Sequence, residues 1–598
     1  MHKLGINKQG SKYTAAICAQ SARSCRLRLY DAGAPEPKEV IAMKEDPKHA
    51  SVFFCEFETR ADEYDFETDL GVINDPYAVR MSGDRIFGFD RDYVRAAMPG
   101  PGLKFADRAH KSIDYSDLII YKLHVRGFSK HSSARSEEPG TFKAVARKVP
   151  YIKSLGFNAV LLMPCYDFDE VMPAGFGQPA RINYWGYGSP ANYFAPKTAY
   201  AADPKKACEE FAAMVRTFHA SGIEVLMEMD FTPQVPDIIT LEALRFWHET
   251  YHIDGFRLMS GSFSPRLAAT DPYLKSVKLI RNHWPEDCTG TPQRRERPVL
   301  AESNEDYMKA VRRFITGDEG VIKEFSDRIR DNGNLAAKVN YFADHDGFTL
   351  ADVFSYDVRH NDANNEKNLD GREINYSWNC GVEGETQSRT VNRLRLKMIK
   401  NALAVLFMSQ GTPMLMAGDE CGSTHYGNNN PYCCDNEQGW VVWQNNAFAN
   451  EIRRFTKEMI ALRKAHRIFS NIIELRGSDY IHSGCPDVSF HGTKAWYPDF
   501  GHFSRTLGML LNGEYAITDR VNRDTSFYVT FNMHWEEHEF DLPSVNHSTF
   551  RFVFATDPKN TYDGGKSCIL APRSIAVFAV DKAGSNPVKQ MKNGKDKG

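Results

Sequence analysis

Apolar positions change period along the chain, and the changes divide it into three stretches. Residues 1 to about 110 hold short runs of alternating burial pattern, such as Ser51-Val52-Phe53-Phe54-Cys55-Glu56-Phe57, separated by turn formers. That pattern predicts a small β-sandwich. The Pro/Gly punctuation Met98-Pro99-Gly100-Pro101-Gly102 places its end close by. From about 116, apolar strand-like runs alternate with amphipathic helical ones. Leu118–Tyr121 precedes a helix over 142–155, Ala159–Met163 a helix over 204–220, Ile223–Met227 a helix over 238–250, and Gly255–Leu258 follows. Repeated βα units over several hundred residues predict an α/β fold. A closed (β/α)8 TIM barrel over 111–470 is favoured over a doubly wound sheet, with Ile452–Ala465 in its last helix. Strands return at Thr525–Phe531, Phe550–Phe554 and Ile575–Val580, which predicts a second β-sandwich over 471–581. Residues 582–598 carry five lysines and no aromatic, and read as a disordered tail.

Length and charge narrow the function classes. At 598 residues one core does not suffice. The net charge of −3, from 74 basic and 77 acidic residues, supplies no field for nucleic acid or an anionic membrane, whereas a neutral polymer needs none. No window reaches the apolar run of roughly 18 residues that a membrane span requires. The N-terminus lacks a secretory h-region, and the twelve cysteines show no paired metal-ligand spacing. A cytoplasmic protein with reduced thiols is the expectation.

Several motifs are more specific. Asp75-Pro76-Tyr77-Ala78 closes the first sandwich. Ile120-Tyr121-Lys122-Leu123-His124-Val125-Arg126-Gly127-Phe128 opens the barrel, and Asn183-Tyr184-Trp185-Gly186-Tyr187 precedes Asn192-Tyr193-Phe194-Ala195-Pro196. The run Asn340 to Leu350 contains His345-Asp346-Gly347, and Asn361–Asn364, Trp378–Gly384, Gly411–Met414, Asn428–Asn430 and Cys434–Glu437 follow it. Over about residues 70–545 the chain resembles the α-amylase superfamily, glycoside hydrolase family 13, in its isoamylase and bacterial glycogen-debranching form. The resemblance implies a starch-binding-like first sandwich of carbohydrate-binding module family 48 type, a catalytic-type barrel, and an α-glucan ligand: glycogen, amylopectin or a maltooligosaccharide.

Family chemistry requires a carboxylate nucleophile and a carboxyl acid/base about 5–5.5 Å apart, with a third carboxylate supporting the oxocarbenium-like transition state. By resemblance, Asp346, preceded by the sugar-contacting His345, takes the third position. Met259 stands where the nucleophile belongs in Asp254-Gly255-Phe256-Arg257-Leu258-Met259, and a thioether cannot replace it; Arg257 is the residue that positions that carboxylate in the family. For the acid/base, flanking similarity favours Asn282, in Arg281-Asn282-His283-Trp284, over the alternative Glu302. An amide has no titratable proton to give. Lys122 stands where a glutamate is usual, and Glu228-Met229-Asp230-Phe231-Thr232-Pro233 departs from the family's His-bearing strand. Tyr187 is a candidate for stacking on a sugar ring, or a core tyrosine.

Three readings follow. The leading one is a non-hydrolytic debranching-family protein that binds glucan or serves as the regulatory partner of an active isoamylase-type subunit. An alternative is an active α-1,6-glucosidase with a relocated site built from Glu302, Asp230 or Glu228 with Asp346. The third is a scaffold with no carbohydrate role. Nothing suggests a nucleotide cofactor, and no acidic loop cluster assigns a metal.

Overall fold

The computed structural model describes residues 2–82, 86–89, 95–100, 103, 111–172, 180–259, 261, 263–289, 299–333, 335–516, 522–545 and 548–581. The predicted tail over 582–598 lies outside the described residues. Among them, no helix is long and apolar enough to cross a membrane. The chain forms two compact units, 1–305 with 334–375 and 412–457, and 306–333 with 376–411 and 458–598.

The first unit begins with two antiparallel sheets. One runs in the order Gly5–Gln9, Lys12–Cys18, Val52–Phe57, Lys44–Glu45, and the other contains Glu39–Ala42, Cys25–Tyr30, Glu63–Thr68 and Gly71–Ile73. Alternate residues Ala15, Ile17, Leu27, Leu29, Phe53, Tyr64 and Phe66 meet in their shared core, as a half-buried strand's period of two requires. The Asp75-Pro76-Tyr77 motif is structural here. Buried Asp75 accepts from the Tyr64 hydroxyl at 2.7 Å and the Tyr77 N–H at 2.9 Å, while its carbonyl accepts from Asn192 at 3.2 Å. Burial pushes the Asp75 carboxyl up to about 6.

Eight parallel strands then close a barrel: β1 (Ile120–Leu123), β2 (Ala159–Leu162), β3 (Glu224–Met229), β4 (Gly255–Leu258), β5 (Lys278–Arg281), β6 (Leu300–Asn304), β7 (Ala337–Tyr341) and β8 (Thr412–Met416), with β8 pairing back to β1. Strands β1 to β4 are buried throughout, which explains why they read as near-continuous apolar runs. The helix Phe142–Leu155 starts on the Thr141 cap and stops at Gly156, whose φ of 107° is left-handed. Helix Asp237–Tyr251 covers its predicted range, and Ala207–Ala220 begins three residues later than predicted because Pro204–Lys206 form a 3-10 turn. The interval between Met229 and Asp237 is short, so β3 passes almost directly into its helix.

The second unit holds the helices Ile322–Arg330 and Arg389–Met408 and a five-stranded antiparallel sheet. Its order is Val488–His491, Thr506–Leu511, Ser526–Asn532, Ser574–Asp581, Thr549–Ala555. The two-stranded sheet His538–Asp541 with Ser567–Leu570 completes a core of Leu510, Tyr528, Phe540, Leu570 and Phe578.

Candidate functional site: a closed charge quartet at the barrel mouth

Four buried charges converge where β1, β3, β4 and β7 end. Lys122 on β1 is fully buried. Its ammonium lies 2.8 Å from Glu228 on β3, 2.5 Å from Asp344 just past β7, and 2.7 Å from Nδ1 of His345. Arg257 on β4 reaches the same two carboxylates, Glu228 at 3.0 Å and Asp344 at 2.8 Å. Two cations and two anions therefore neutralise each other away from water. Taking any one of these ions out of water alone costs several kcal/mol, so the arrangement holds together only as a set.

The quartet fixes protonation. Burial alone would raise Glu228 and Asp344, but the neighbouring cations, Lys122 foremost for Glu228 and Arg257 foremost for Asp344, hold Glu228 below the usual glutamate range and Asp344 well below the aspartate range. Both are ionised at neutral pH, so Glu228 has no proton for a leaving group. His345 Nδ1 also lies 3.0 Å from Asp344 Oδ1, so the ring nitrogen sits between the Lys122 ammonium and a carboxylate oxygen. The Tyr187 hydroxyl donates to the other oxygen of Glu228, and its ring lies 5.2 Å from that of His345; Trp185 meets the same imidazole edge-on at 4.8 Å.

The other residues singled out in the sequence fall at the mouths of neighbouring strands. Met259 is the first residue past β4, partly buried, its N–H donating to Met229. Asn282 is the first residue past β5 and is exposed. His345 and Asp346 follow β7. Register separates Glu302 from this set. Glu228 pairs in register with axis-facing Arg257, Arg257 with Ile280, and Ile280 with Ala301, so Ala301 faces the axis and Glu302 faces out. There Glu302 accepts from Lys338 at 2.6 Å and from the Trp284 N–H at 2.9 Å, and lies 3.0 Å from His283. Asp230, at the end of β3, accepts from the Gly188 N–H at 2.8 Å; burial raises its carboxyl.

Asp346 is itself engaged. Arg372 donates to its carboxylate at 2.8 Å and to its carbonyl at 2.6 Å, and also reaches Glu305 at 2.8 Å. A clamp of buried amides positions that arginine. Asn361 donates to Asn429 at 2.9 Å, Asn428 to Asn364 at 2.9 Å, and Asn429 to the Arg372 carbonyl at 2.9 Å. Gly371 permits it: its φ is +78°, and any Cβ there would collide with Asn361, Asn429 and Asn430. The asparagine motifs read in the sequence thus become a scaffold for Arg372.

Donor atoms of Asp344, His345 and Asp346 lie within 4.8 Å of one another. Lys122, Arg257 and Arg372 already compensate both carboxylates, so a metal cation would face three positive charges there. The set does not fit a metal.

Sequence reasoning passed over Asp344 and Arg372. The signal for Asp344 was present, since a lysine in a buried strand demands a carboxylate partner. Which acid meets it depends on strand register, which composition does not reveal.

The fold is an α-amylase-type (β/α)8 barrel accompanied by further β-sheets. No protein-family model matches the chain. Among curated proteins it is 30% identical over 520 residues to isoamylase 1, chloroplastic, from Arabidopsis thaliana, covering 71% of this chain and 64% of that one. It is 32% identical over 516 residues to the glycogen operon protein GlgX homolog of Mycobacterium tuberculosis, covering 72% and 70%. Of solved structures, it resembles apo pullulanase from Paenibacillus barengoltzii (TM-score 0.71, 21% identity, 97% and 94% covered). It also resembles the catalytic module of the glycogen-degrading pneumococcal virulence factor SpuA (TM-score 0.73, 15% identity, 98% of each). The chain belongs to the isoamylase and GlgX glycogen-debranching family of glycoside hydrolase family 13.

Proposed function

We propose that this chain is a non-hydrolytic member of its family, which binds α-glucan at the barrel mouth and acts as a glucan-binding or regulatory subunit. The observation that carries the reading is the closed quartet of Lys122, Glu228, Arg257 and Asp344 beside Met259 and Asn282. Retaining hydrolysis needs a free carboxylate nucleophile and a protonated carboxyl within about 5–5.5 Å of it. Met259 offers a thioether and Asn282 an amide. Glu228 is held ionised between two cations, and Glu302 faces away from the axis. Loss of one member of a catalytic unit commonly removes several orders of magnitude in rate. Of this ring cluster Trp185 and His345 are buried while Tyr187 keeps partial exposure, so Tyr187 is the ring placed to meet a sugar. A pullulanase of the same fold has been crystallised with maltotriose, which supports the ligand class.

The test pairs two measurements on the wild-type chain. Calorimetry with maltooligosaccharides is expected to show saturable binding, and incubation with amylopectin is expected to release no reducing ends. Turnover without an added subunit would sink the reading. Co-purification with an active debranching enzyme, and a change in that enzyme's rate, would identify the regulatory role.

A further inference from the structure

The second unit carries a feature that the barrel site does not use. The loop between Val488–His491 and Thr506–Leu511 reads Lys494-Ala495-Trp496-Tyr497-Pro498-Asp499-Phe500-Gly501-His502-Phe503-Ser504-Arg505. Tyr497 is 74% exposed, Phe503 72% and Trp496 42%, and Trp535, from a neighbouring turn, is 57% exposed. Large aromatics left in water over one stretch mark a binding surface more often than an accident of folding.

This loop is built rather than slack. Gly492 donates to the Tyr497 carbonyl at 2.9 Å, and Trp496 donates to His491 Nδ1 at 2.7 Å. Asp499 caps the Gly501 N–H at 2.9 Å, and the His502 carbonyl accepts from Gly320 at 2.7 Å. Trp496 sits at φ 69°, a conformation costly for a bulky side chain and held only because its surroundings impose it. Arg505 ties the loop to Trp535: its guanidinium lies 5.0 Å from the indole ring, which also stacks on His534 at 4.0 Å. The rings are therefore presented with little ordering left to do on binding.

Chemistry selects the occupant. Glu319 pairs with Arg505 at 3.0 Å and lies 3.3 Å from His502, and Lys494 faces Asp541 at 3.5 Å, so the basic groups of the loop are matched by carboxylates and offer little net field to a polyanion. From Lys494 to Arg505 there is no Leu, Ile, Val or Met. Exposed rings of this kind also occur at protein interfaces, and the sedimentation measurement below reads that outcome. Rigid aromatic faces rimmed by paired, hydrogen-bonding polar groups suit a neutral sugar polymer.

We infer that Trp496, Tyr497, Phe503 and Trp535 form a second α-glucan platform, separate from the barrel mouth, that anchors the protein on polymeric glucan. The inference rests on the proposed α-glucan ligand. Two weak sites on one chain would act multivalently on a branched polymer and singly on a short oligosaccharide.

The experiment compares wild type with the Tyr497→Ala/Phe503→Ala/Trp535→Ala variant, whose exposed substitutions should leave the circular dichroism spectrum unchanged. Affinity electrophoresis in glycogen and calorimetry with maltoheptaose are run on both. About ten-fold or greater weakening on glycogen, with maltoheptaose binding at the barrel retained, is the expected result. Equal glycogen retention by both proteins overturns the platform while leaving the barrel reading intact. Unchanged glycogen retention with an altered sedimentation mass would make the loop a contact between protein copies. Failure of wild type to bind either glucan overturns both proposals.

Discussion

Replacing Lys122 by methionine tests whether the quartet is a mutually dependent unit. The change keeps side-chain length and removes one positive charge, leaving Glu228 and Asp344 facing Arg257 alone. Removing one partner of a buried ion pair commonly costs about 3–5 kcal/mol, because the orphaned charge stays out of water. Lys122 and Glu228 are fully buried, and Asp344 is 2% exposed at its side chain, so little of that loss is screened. The unit that carries the quartet is larger than the 150–250 residues for which 1 kcal/mol shifts the midpoint by about 2–4 °C, so the shift is nearer ~1 °C per kcal/mol and its transition in scanning calorimetry should fall on the order of 5 °C. The pH dependence carries the sign. In wild type both carboxylates are depressed, so their stabilisation is present above the ordinary carboxylate range, about pH 4, and is lost as pH falls through their lowered values. In Lys122→Met one carboxylate rises instead, and taking up a proton relieves it. The deficit should be full at pH 8 and should narrow as the medium is acidified. A Lys122→Met/Asp344→Asn double variant, again charge-balanced, should regain part of the loss. A drop below about 2 °C, or one independent of pH, would refute the idea of a coupled quartet.

Other outcomes follow from the same geometry. Met259→Asp alone and Asn282→Glu alone should each leave reducing-end release at the no-enzyme blank, because one carboxylate without the other does not complete the retaining pair. Glu302→Gln should leave maltooligosaccharide affinity unchanged by calorimetry. It should cost about 1 kcal/mol of barrel stability by denaturant titration, since Lys338 loses its anionic partner. Arg372→Ala removes the donor to the Asp346 carboxylate and carbonyl and should cost about 1 kcal/mol of barrel stability by denaturant titration; an unchanged midpoint would show that the arginine does not hold the loop. Tyr187→Phe removes the hydroxyl from Glu228 and keeps the ring, so glucan affinity should persist while Tyr187→Ala abolishes it in the same calorimetric assay.

Much of the architecture was legible because the strands are strongly patterned. Gly255–Leu258 forms over the predicted range, and the helices over 142–155 and 237–251 follow directly from their apolar spacing. Leu300–Asn304 was harder. In the sequence it enters only through the choice between Glu302 and Asn282, and pairing with β5 and β7 makes it the sixth barrel strand. Met259, Asn282 and Asp346 could be picked out because their flanks carry the family pattern. Asp344 and Arg372 could not, because each matters through partners far away in sequence: Lys122 lies 222 residues before Asp344, and Arg372 is aimed by asparagines up to 57 residues further on. Periodicity reports which face a residue occupies, and long-range register decides what it meets there.

The most direct test of the account is reducing-end release from glycogen and amylopectin by the purified wild-type chain, beside an active isoamylase. No release above the blank is expected from wild type, and none from Asp346→Ala. Release by wild type that Asp346→Ala abolishes would contradict it and would mean that a working pair of carboxylates had been rebuilt elsewhere at the barrel mouth.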